Sequence, residues 1–290
     1  MSDLSRRDFL KLIGLGALTL AAPRKVFAAA EPRRYRVVQR IAPQDGVLMT
    51  VDDGYLRTFA PMVQVLYRRR VPVAFFAVGR VLPVLADYQG ENLLEKLIEV
   101  GGIICNHSYS HPYFTHLDEK AIAEEIENWE AALADALGRD YLREMKARFP
   151  YFRIPFGAGK NLGRVYRVLQ DYGYVVVWWN WDDMGVILKF VDGSHLEDAL
   201  QEPLFDEVNR AIVREATAIR PGDILLMHSN DWARAALEGV VDVVERRWTW
   251  ADPVRSLGRA AGLIPSAPSG GQEPRRRRIP RWADRLPRPY

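Results

Sequence analysis

Short apolar runs recur along the middle of the chain and are typical of buried strands. They are Val47–Thr50, Val73–Val78, Ile103–Ile104, Tyr151–Ile154, Tyr174–Trp178 and Ile224–Met227. The segments between them carry apolar residues at helical spacing. The clearest case is Ile122, Ile126, Trp129 and Leu133. Repeated alternation of strand and helix predicts an α/β fold in which helices cover a parallel sheet, either open or closed into a barrel.

The first thirty residues have a different composition from the rest. Two adjacent arginines, Arg6 and Arg7, precede an apolar stretch over residues 12–22, and three alanines end the segment at residues 28–30. This is the pattern of a twin-arginine export signal. The stretch is shorter than the roughly 20 residues that a membrane span needs. We therefore expect residues 1–30 to be a signal peptide, with an uncleaved anchor as the alternative, and the protein to be periplasmic, associated with the cell wall or secreted.

Residues 31–264 contain no Pro/Gly/Ser-rich break and are expected to form one catalytic domain, which we expect to be a monomer. Residues 265–290 are rich in proline and arginine and are predicted to be a disordered tail. The tail carries a net charge of +5 and residues 1–30 carry +3, so the net charge of +3 for the whole chain leaves the middle acidic. The tail can attract an anionic wall polymer or a membrane surface. Nothing else in the sequence favours nucleic-acid binding.

Five short polar motifs stand at the ends of apolar runs, in one order along the chain. They are Thr50–Gly54, His107–His111, Arg153–Gly157, Asn180–Asp183 and Ile224–His228. In barrels of parallel strands the active site is built at the C-terminal ends of the strands. The five motifs are therefore predicted to converge on one mouth of the sheet.

His107 and His111, with Asp53 as the third ligand, are predicted to bind a metal. Two imidazoles and one carboxylate form a set that holds catalytic zinc and leaves one coordination position open. A divalent cation lowers the pKa of the water it binds from about 15.7 towards about 7. Asp52 is then the candidate general base. Neighbouring strand residues point to opposite faces, so both aspartates reach the site only if the chain turns, and Gly54 permits that turn.

Three further motifs supply candidate partners for this reaction. Arg153 can pair with Asp52 and lower the pKa of its carboxyl group, although an ordinary salt bridge would look the same. The backbone N–H of Phe156 can face a developing oxyanion. His228 is the candidate general acid, and either Asp183 or Asp182 can hold its imidazole in the charged form.

From about Val47 to Leu263 the chain resembles the polysaccharide deacetylase family, carbohydrate esterase family four. The family pattern of Thr-Phe-Asp-Asp-Gly, His-Ser/Thr-x-x-His, Arg-x-Pro-Phe/Tyr, Asp-x-x-Asp-Trp and an apolar run ending in histidine has a counterpart in each motif. Val51 replaces the usual phenylalanine, and Asn180 and Met184 depart from the fourth motif. The resemblance implies a distorted (β/α) barrel of about seven strands. It also implies a divalent metal, zinc above all with cobalt or nickel as alternatives.

The resemblance further implies hydrolysis of N-acetyl groups, or sometimes O-acetyl groups, on a glycan. It assigns the same roles as above to Asp52 and His228, and it adds Leu226 as a wall of the acetyl pocket. Trp181 and Trp232 lie near the last two motifs and are candidates for stacking on a sugar ring, although tryptophans there are as often part of the core. Two alternatives stay open: a glycan-binding module without activity, and a hydrolase of small amides.

Overall fold

Eight parallel strands form one sheet in the computed structural model, which describes residues 35–191 and 200–265. The strands are β1 (Val37–Val38), β2 (Leu48–Asp53), β3 (Val73–Ala77), β4 (Ile103–Asn106), β5 (Tyr151–Phe152), β6 (Val175–Val177), β7 (Trp181–Asp182) and β8 (Ile224–His228). Their spatial order is β1-β6-β5-β4-β3-β2-β8-β7. Two adjacent central strands, β2 and β3, are buried along their whole length, as expected for a sheet covered on both faces.

Ten α-helices connect and cover these strands within the described residues. They are α1 (Leu56–Arg69), α2 (Leu82–Ala86), α3 (Leu93–Glu99), α4 (Glu119–Leu137), α5 (Arg139–Arg148), α6 (Gly163–Asp171), α7 (Asp183–Ile187), α8 (Leu204–Glu215), α9 (Asp231–Glu245) and α10 (Pro253–Ala260). Within the ranges described, no helix has both the length and the apolar character needed to cross a membrane.

The predicted fold class, a distorted barrel of parallel strands covered by helices, is confirmed. Each predicted apolar run overlaps a strand, and the four apolar residues at the clearest helical spacing all lie on α4, where they are buried: Ile122, Ile126, Trp129 and Leu133. The sheet has one strand more than the seven expected. Both β1 and β7 are two residues long, too short to show a period in the sequence. The predicted signal peptide lies outside the described residues, as does all but the first residue of the predicted tail.

Strand register brings the motifs together at one end of the sheet. Asp52 on β2 pairs in register with His228 on β8. On the other side of β2, Asp53 pairs with Ala77 on β3, and Ala77 pairs with Asn106 on β4, directly before His107. Most buried polar side chains of the described residues gather here, at the C-terminal ends of the strands: Thr50, Asp52, Asp53, Asn106, His107, Ser108, Arg153, Asp183 and Ser229.

Candidate active site

The end of β2 turns so that the adjacent carboxylates of Asp52 and Asp53 contact different side chains. Asp53 itself has a φ of +76° and Gly54 a φ of +97°. The turn predicted at Gly54 therefore begins one residue earlier, on a non-glycine residue, which is a strained conformation typical of functional sites. As a result the Asp52 side chain faces Arg153, while the Asp53 side chain faces the two histidines.

Ser229 holds this turn and was not predicted from the sequence. Its hydroxyl oxygen accepts hydrogen bonds from the backbone N–H groups of Gly54 and Tyr55, both at 2.9 Å, and its own N–H donates to the Asp52 carbonyl at 3.2 Å. Nearly 180 residues separate the partners along the chain, so no local pattern reveals the contact. The only sequence signal is the position of Ser229 directly after His228.

The loop that carries the two histidines follows β4 and is held by two further side chains. The Asn106 side-chain oxygen accepts the N–H of Ser108 at 2.8 Å. The carboxylate of Glu125, on α4, accepts both the N–H of Ser110 at 2.8 Å and its hydroxyl at 2.6 Å. Ser108 and His111 have φ values of +64°. This bonding holds His111 in a backbone conformation that it would rarely adopt alone.

The histidine nitrogens that face Asp53 are free to bind a cation. His107 Nδ1 lies 2.8 Å from the Arg153 carbonyl oxygen, which can only accept, so Nδ1 carries the proton and Nε2 presents its lone pair. Asp53 Oδ1 lies 3.6 Å from His107 Nε2 and 3.3 Å from His111 Nε2. These spacings suit a tetrahedral centre, in which bonds of about 2.0–2.2 Å place ligand atoms roughly 3.4 Å apart.

The electrostatics of these three side chains also fit a cation. Asp53 Oδ1 is buried without a hydrogen-bond partner among the described residues. Burial raises the pKa of Asp53 to about 7, and the Asp52 charge adds to the effect although His228 opposes it. Burial also lowers the pKa of His107 and of His111 to about 3, so both imidazoles are neutral. A divalent cation would satisfy the carboxylate and bind both neutral nitrogens.

Arg153 reaches Asp52 through the interior of the sheet. Its Nη1 donates to Asp52 Oδ1 at 2.7 Å and to the Thr50 hydroxyl at 2.8 Å, and its Nε donates to the Val177 carbonyl at 3.1 Å. Arg153 was expected to lower the pKa of Asp52. Burial has the larger effect and the pKa of Asp52 is raised overall, with Arg153 opposing that rise. The ion pair therefore fixes the direction of the carboxylate and limits the cost of burying it.

Asp183, rather than Asp182, contacts His228. Asp183 Oδ1 lies 2.6 Å from His228 Nδ1. Asp182 instead caps helix α7, and its Oδ2 accepts the indole N–H of Trp179 at 2.9 Å. Burial alone would lower the pKa of His228, but the charge and hydrogen bond of Asp183, with Asp53 and Asp52, raise it to about 10. His228 is thus a cation at neutral pH, beside the carboxylates.

The four predicted substrate contacts lie in different environments. Phe156 is 55% exposed and has a φ of +56°. Leu226 is fully buried yet lies outside the contiguous hydrophobic core. Trp181 on β7 is half-buried. Trp232 is only 6% exposed and belongs to the hydrophobic core, because it lies on the inner side of α9. It has almost no ring surface to offer a sugar, which argues against the predicted stacking role.

Comparison with known proteins agrees with this geometry. Residues 39–177 match the family model described as polysaccharide deacetylase. The chain is 26% identical over 208 residues to the peptidoglycan-N-acetylmuramic acid deacetylase PdaA of Bacillus subtilis. The aligned region covers 70% of this chain and 68% of that protein.

Solved structures share the fold. The chitin deacetylase of the fungal pathogen Colletotrichum lindemuthianum superposes with a TM-score of 0.57 at 15% identity, covering 81% of this chain and 93% of that one. A pseudoenzyme of carbohydrate esterase family 4 from Bacillus anthracis superposes with a TM-score of 0.57 at 18% identity, covering 77% and 69%. Because the same fold occurs in an enzyme and a pseudoenzyme, activity has to be argued from the side chains.

Proposed function

We propose that this chain is a metal-dependent hydrolase that removes acetyl groups from a glycan, and the match of residues 39–177 to the polysaccharide deacetylase family model supports the proposal. One observation carries the proposal. The Asp53–His107–His111 triad lies beside the Asp52 carboxylate, which is paired with Arg153. Asp52 is in turn the register partner of His228, a charged histidine on β8. A binding module would need neither of these last two groups.

The proposed metal centre consists of Asp53, His107 and His111, with zinc as the first candidate and cobalt or nickel as alternatives. A divalent cation held there would supply Lewis acidity, which activates water and polarises an acyl carbonyl. The protein supplies the second layer of contacts. The Arg153 carbonyl fixes the His107 ring, and Glu125 and Ser229 hold the two ligand-bearing loops.

Asp52 is the proposed general base. Its Oδ2 lies 3.6 Å from His107 Nε2, so the carboxylate borders the metal ligands, while Oδ1 is held by Arg153. In this role Asp52 takes a proton from the attacking water as the water oxygen bonds to the acyl carbon. The backbone N–H of Phe156 is the proposed donor to the developing oxyanion, and Leu226 is the proposed wall beside the acetyl methyl group.

His228 is the proposed general acid. It carries a proton at neutral pH because Asp183 holds it, and it stands across the β2–β8 pair from Asp52. In this role His228 protonates the leaving nitrogen as the carbon–nitrogen bond breaks, which yields acetate and a free amine. An O-acetyl ester would follow the same course with an alcohol as the leaving group.

The proposed substrate is an acetylated cell-wall or extracellular glycan. The resemblance to a peptidoglycan deacetylase and the export signal predicted over residues 1–30 both favour a target outside the cytoplasm. In this proposal the signal sends the protein to the periplasm, the wall or the medium. The basic tail over residues 265–290 would add attraction to an anionic polymer or membrane surface.

The experiment that tests the proposal measures acetate release by the purified full chain from N-acetylglucosamine oligomers, peptidoglycan and acetyl-xylan. Each substrate is assayed with zinc, after chelation, and with the Asp52→Asn variant. We expect zinc-dependent acetate that the variant does not release. Bound zinc with no acetate from any of the three substrates would refute the deacetylase and favour a glycan-binding module or a small-amide hydrolase.

A further inference from the structure

Two stacked aromatic rings stand exposed beside the metal ligands. Tyr113 and Phe156 have ring centroids 4.0 Å apart and planes within 9° of parallel. Their side chains are 49% and 55% exposed, more than any other phenylalanine, tyrosine or tryptophan in the part of the chain that the structure describes. We call this pair the aromatic ledge. Two exposed aromatic rings side by side form an apolar patch on the protein surface, and exposed apolar patches are typical of binding sites.

The aromatic ledge is continuous with the candidate metal centre. The Phe156 ring meets the ring of His111 edge to face, with centroids 4.4 Å apart. Tyr113 lies beyond Phe156, so the rings run outward from the metal ligand. A group bound on Tyr113 is therefore adjacent to, but not on, the reacting atoms.

The backbone around the ledge is held in place. Phe114, next to Tyr113, is fully buried and packs against Phe152 of β5, with ring centroids 5.7 Å apart. Phe156 lies in the tight turn Pro155–Gly157 with a φ of +56°, and hydrogen bonds from Gly157 N–H to the Ile154 carbonyl at 3.0 Å and from Ala158 N–H to the Pro155 carbonyl at 2.9 Å close that turn. Two separate loops thus present parallel rings from anchored positions. Preorganised rings of this kind lose little conformational entropy when a ligand binds.

We propose that the aromatic ledge binds the sugar ring next to the one that carries the acetyl group, with Tyr113 as a residue that determines specificity for oligomers. The inference rests on the proposed function and deepens it by naming the substrate class. A pyranose ring presents an apolar face of C–H bonds that matches a flat aromatic surface. A single acetylated sugar or a small amide would leave Tyr113 uncovered, so the ledge favours a chain of sugars over the small-amide alternative.

The test compares Tyr113→Ala, Tyr113→Phe and Tyr67→Ala in the full chain. Tyr67 is the matched control, since it is an exposed tyrosine on α1 that bonds Glu99 and lies outside the candidate site. We expect Tyr113→Ala to raise KM for the N-acetylglucosamine tetramer on the order of ten-fold, equivalent to about 1.4 kcal/mol, with kcat nearly unchanged. Tyr113→Phe keeps the ring and should restore the KM, and Tyr67→Ala should have no effect.

Substrate length separates binding from structural damage. Tyr113→Ala should leave activity on the single sugar N-acetylglucosamine unchanged. An equal loss on the single sugar and the tetramer would show that the variant disturbs His111, and it would overturn the inference. So would an unchanged KM for the tetramer.

Binding measurements keep this inference distinct from the catalytic proposal. Titration calorimetry of the tetramer, and of peptide-free peptidoglycan strands, onto the Asp52→Asn protein needs no turnover. Weaker binding on adding Tyr113→Ala supports the ledge even if the wild-type chain releases no acetate, in which case only the proposed function fails. If neither glycan binds the protein, the ledge inference is wrong.

Discussion

Asp183 binds His228 twice, through the side chain and through the backbone. Its Oδ1 lies 2.6 Å from the imidazole Nδ1, and its Oδ2 accepts the His228 backbone N–H at 3.1 Å. The side-chain amide of Asn230 also donates to Oδ2, at 3.2 Å. Asp183 therefore fixes the ring orientation and places the His228 proton on Nδ1, while its charge favours the doubly protonated ring.

Removing that charge should shift the pH dependence of activity. In its proposed role His228 can act as an acid only while it is protonated, and Asp183 helps to raise its pKa to about 10. In Asp183→Asn burial acts without this opposing charge, so the pKa of His228 falls and the alkaline limb of the kcat/KM profile moves to lower pH. At pH 8 we expect a loss of roughly 100- to 10,000-fold, the usual value of a general acid.

Asp182→Asn is the control for that experiment. Asp182 is the neighbouring carboxylate, but it caps α7 and lies outside the pair with His228. Its replacement should cost about 1 kcal/mol or less in the free energy of unfolding and leave the pH profile in place. A profile that moves in both variants, or in neither, would contradict the assignment of Asp183.

Zinc affinity should fall as pH decreases below neutrality. A divalent metal would bind the carboxylate form of Asp53, but in the metal-free protein burial raises the pKa of Asp53 to about 7, so the carboxyl group is protonated below that pH. The two imidazoles have pKa values of about 3 and are neutral over the same range. The zinc Kd should therefore rise about ten-fold for each pH unit below 7, with one proton released per ion.

Calorimetry in buffers of different ionisation enthalpy counts that proton directly. The Asp53→Asn variant should bind zinc more weakly and lose the pH slope, because an amide does not titrate in this range. A Kd for the wild type that is constant between about pH 5 and 7 would show that Asp53 is ionised before the metal arrives.

Ser229→Ala should destabilise the turn that presents Asp53. The N–H groups of Gly54 and Tyr55 would lose their acceptor, and a buried donor left unpaired costs about 1–3 kcal/mol in the free energy of unfolding. Zinc binding should weaken as well, since the turn orients the ligand. Denaturant unfolding and zinc titration measure the two effects.

Ser256→Ala provides the matched comparison. Ser256 is equally buried, but its hydroxyl donates to the Asp252 carbonyl, which already accepts the Ser256 backbone N–H. Removing that hydroxyl leaves no group unpaired, so the cost should stay below about 1 kcal/mol and zinc binding should not change. Equal losses in the two variants would mean that Ser229 contributes only as a buried serine.

Local patterns were enough to predict the sheet and the residues at its mouth. Burial on both faces of parallel strands produces the continuous apolar runs from which β2, β3 and β8 were predicted. The ends of these strands then placed Asp52 and His228 together. Trp232 shows the limit of this reasoning. It follows the last motif closely, yet the rotation of α9 directs it into the core, and helix rotation depends on packing that adjacency in sequence does not reveal.

The contacts that support the site could not be predicted in the same way. Glu125 sits in an ordinary amphipathic helix, and nothing in its neighbourhood distinguishes it from the other acidic residues of α4. Its importance comes from a hydrogen bond to Ser110, fifteen residues earlier, that only the tertiary structure brings about. The choice between Asp182 and Asp183 likewise depended on the direction in which each carboxylate leaves the start of α7.

Gly54→Ala should be among the most damaging single substitutions near the site. Gly54 has a φ of +97°, and a Cβ there would lie 2.6 Å from Cζ of Phe75, a fully buried ring. Backbone strain and overpacking together predict a loss of about 2–5 kcal/mol. Gly90→Ala is the control, because Gly90 has a φ of +79° but no atom within 4 Å of the added Cβ. It should cost only the backbone strain, about 1–2 kcal/mol. Thermal unfolding of both variants separates the two costs, and equal losses would show that Phe75 yields.

The pairing of Asp52 with His228 across β2 and β8 also affects the order in which the site forms during folding. The three proposed metal ligands come from β2 and the loop after β4, in the first half of the described chain, whereas the proposed acid arrives with the last strand. Contacts between residues far apart in sequence carry a larger loop-closure entropy and form late. During synthesis we therefore expect the nascent chain to gain metal affinity before it gains hydrolytic competence, which must wait for β8 to dock beside β2. A partly folded chain of this kind can capture its cation without yet being able to act on a glycan.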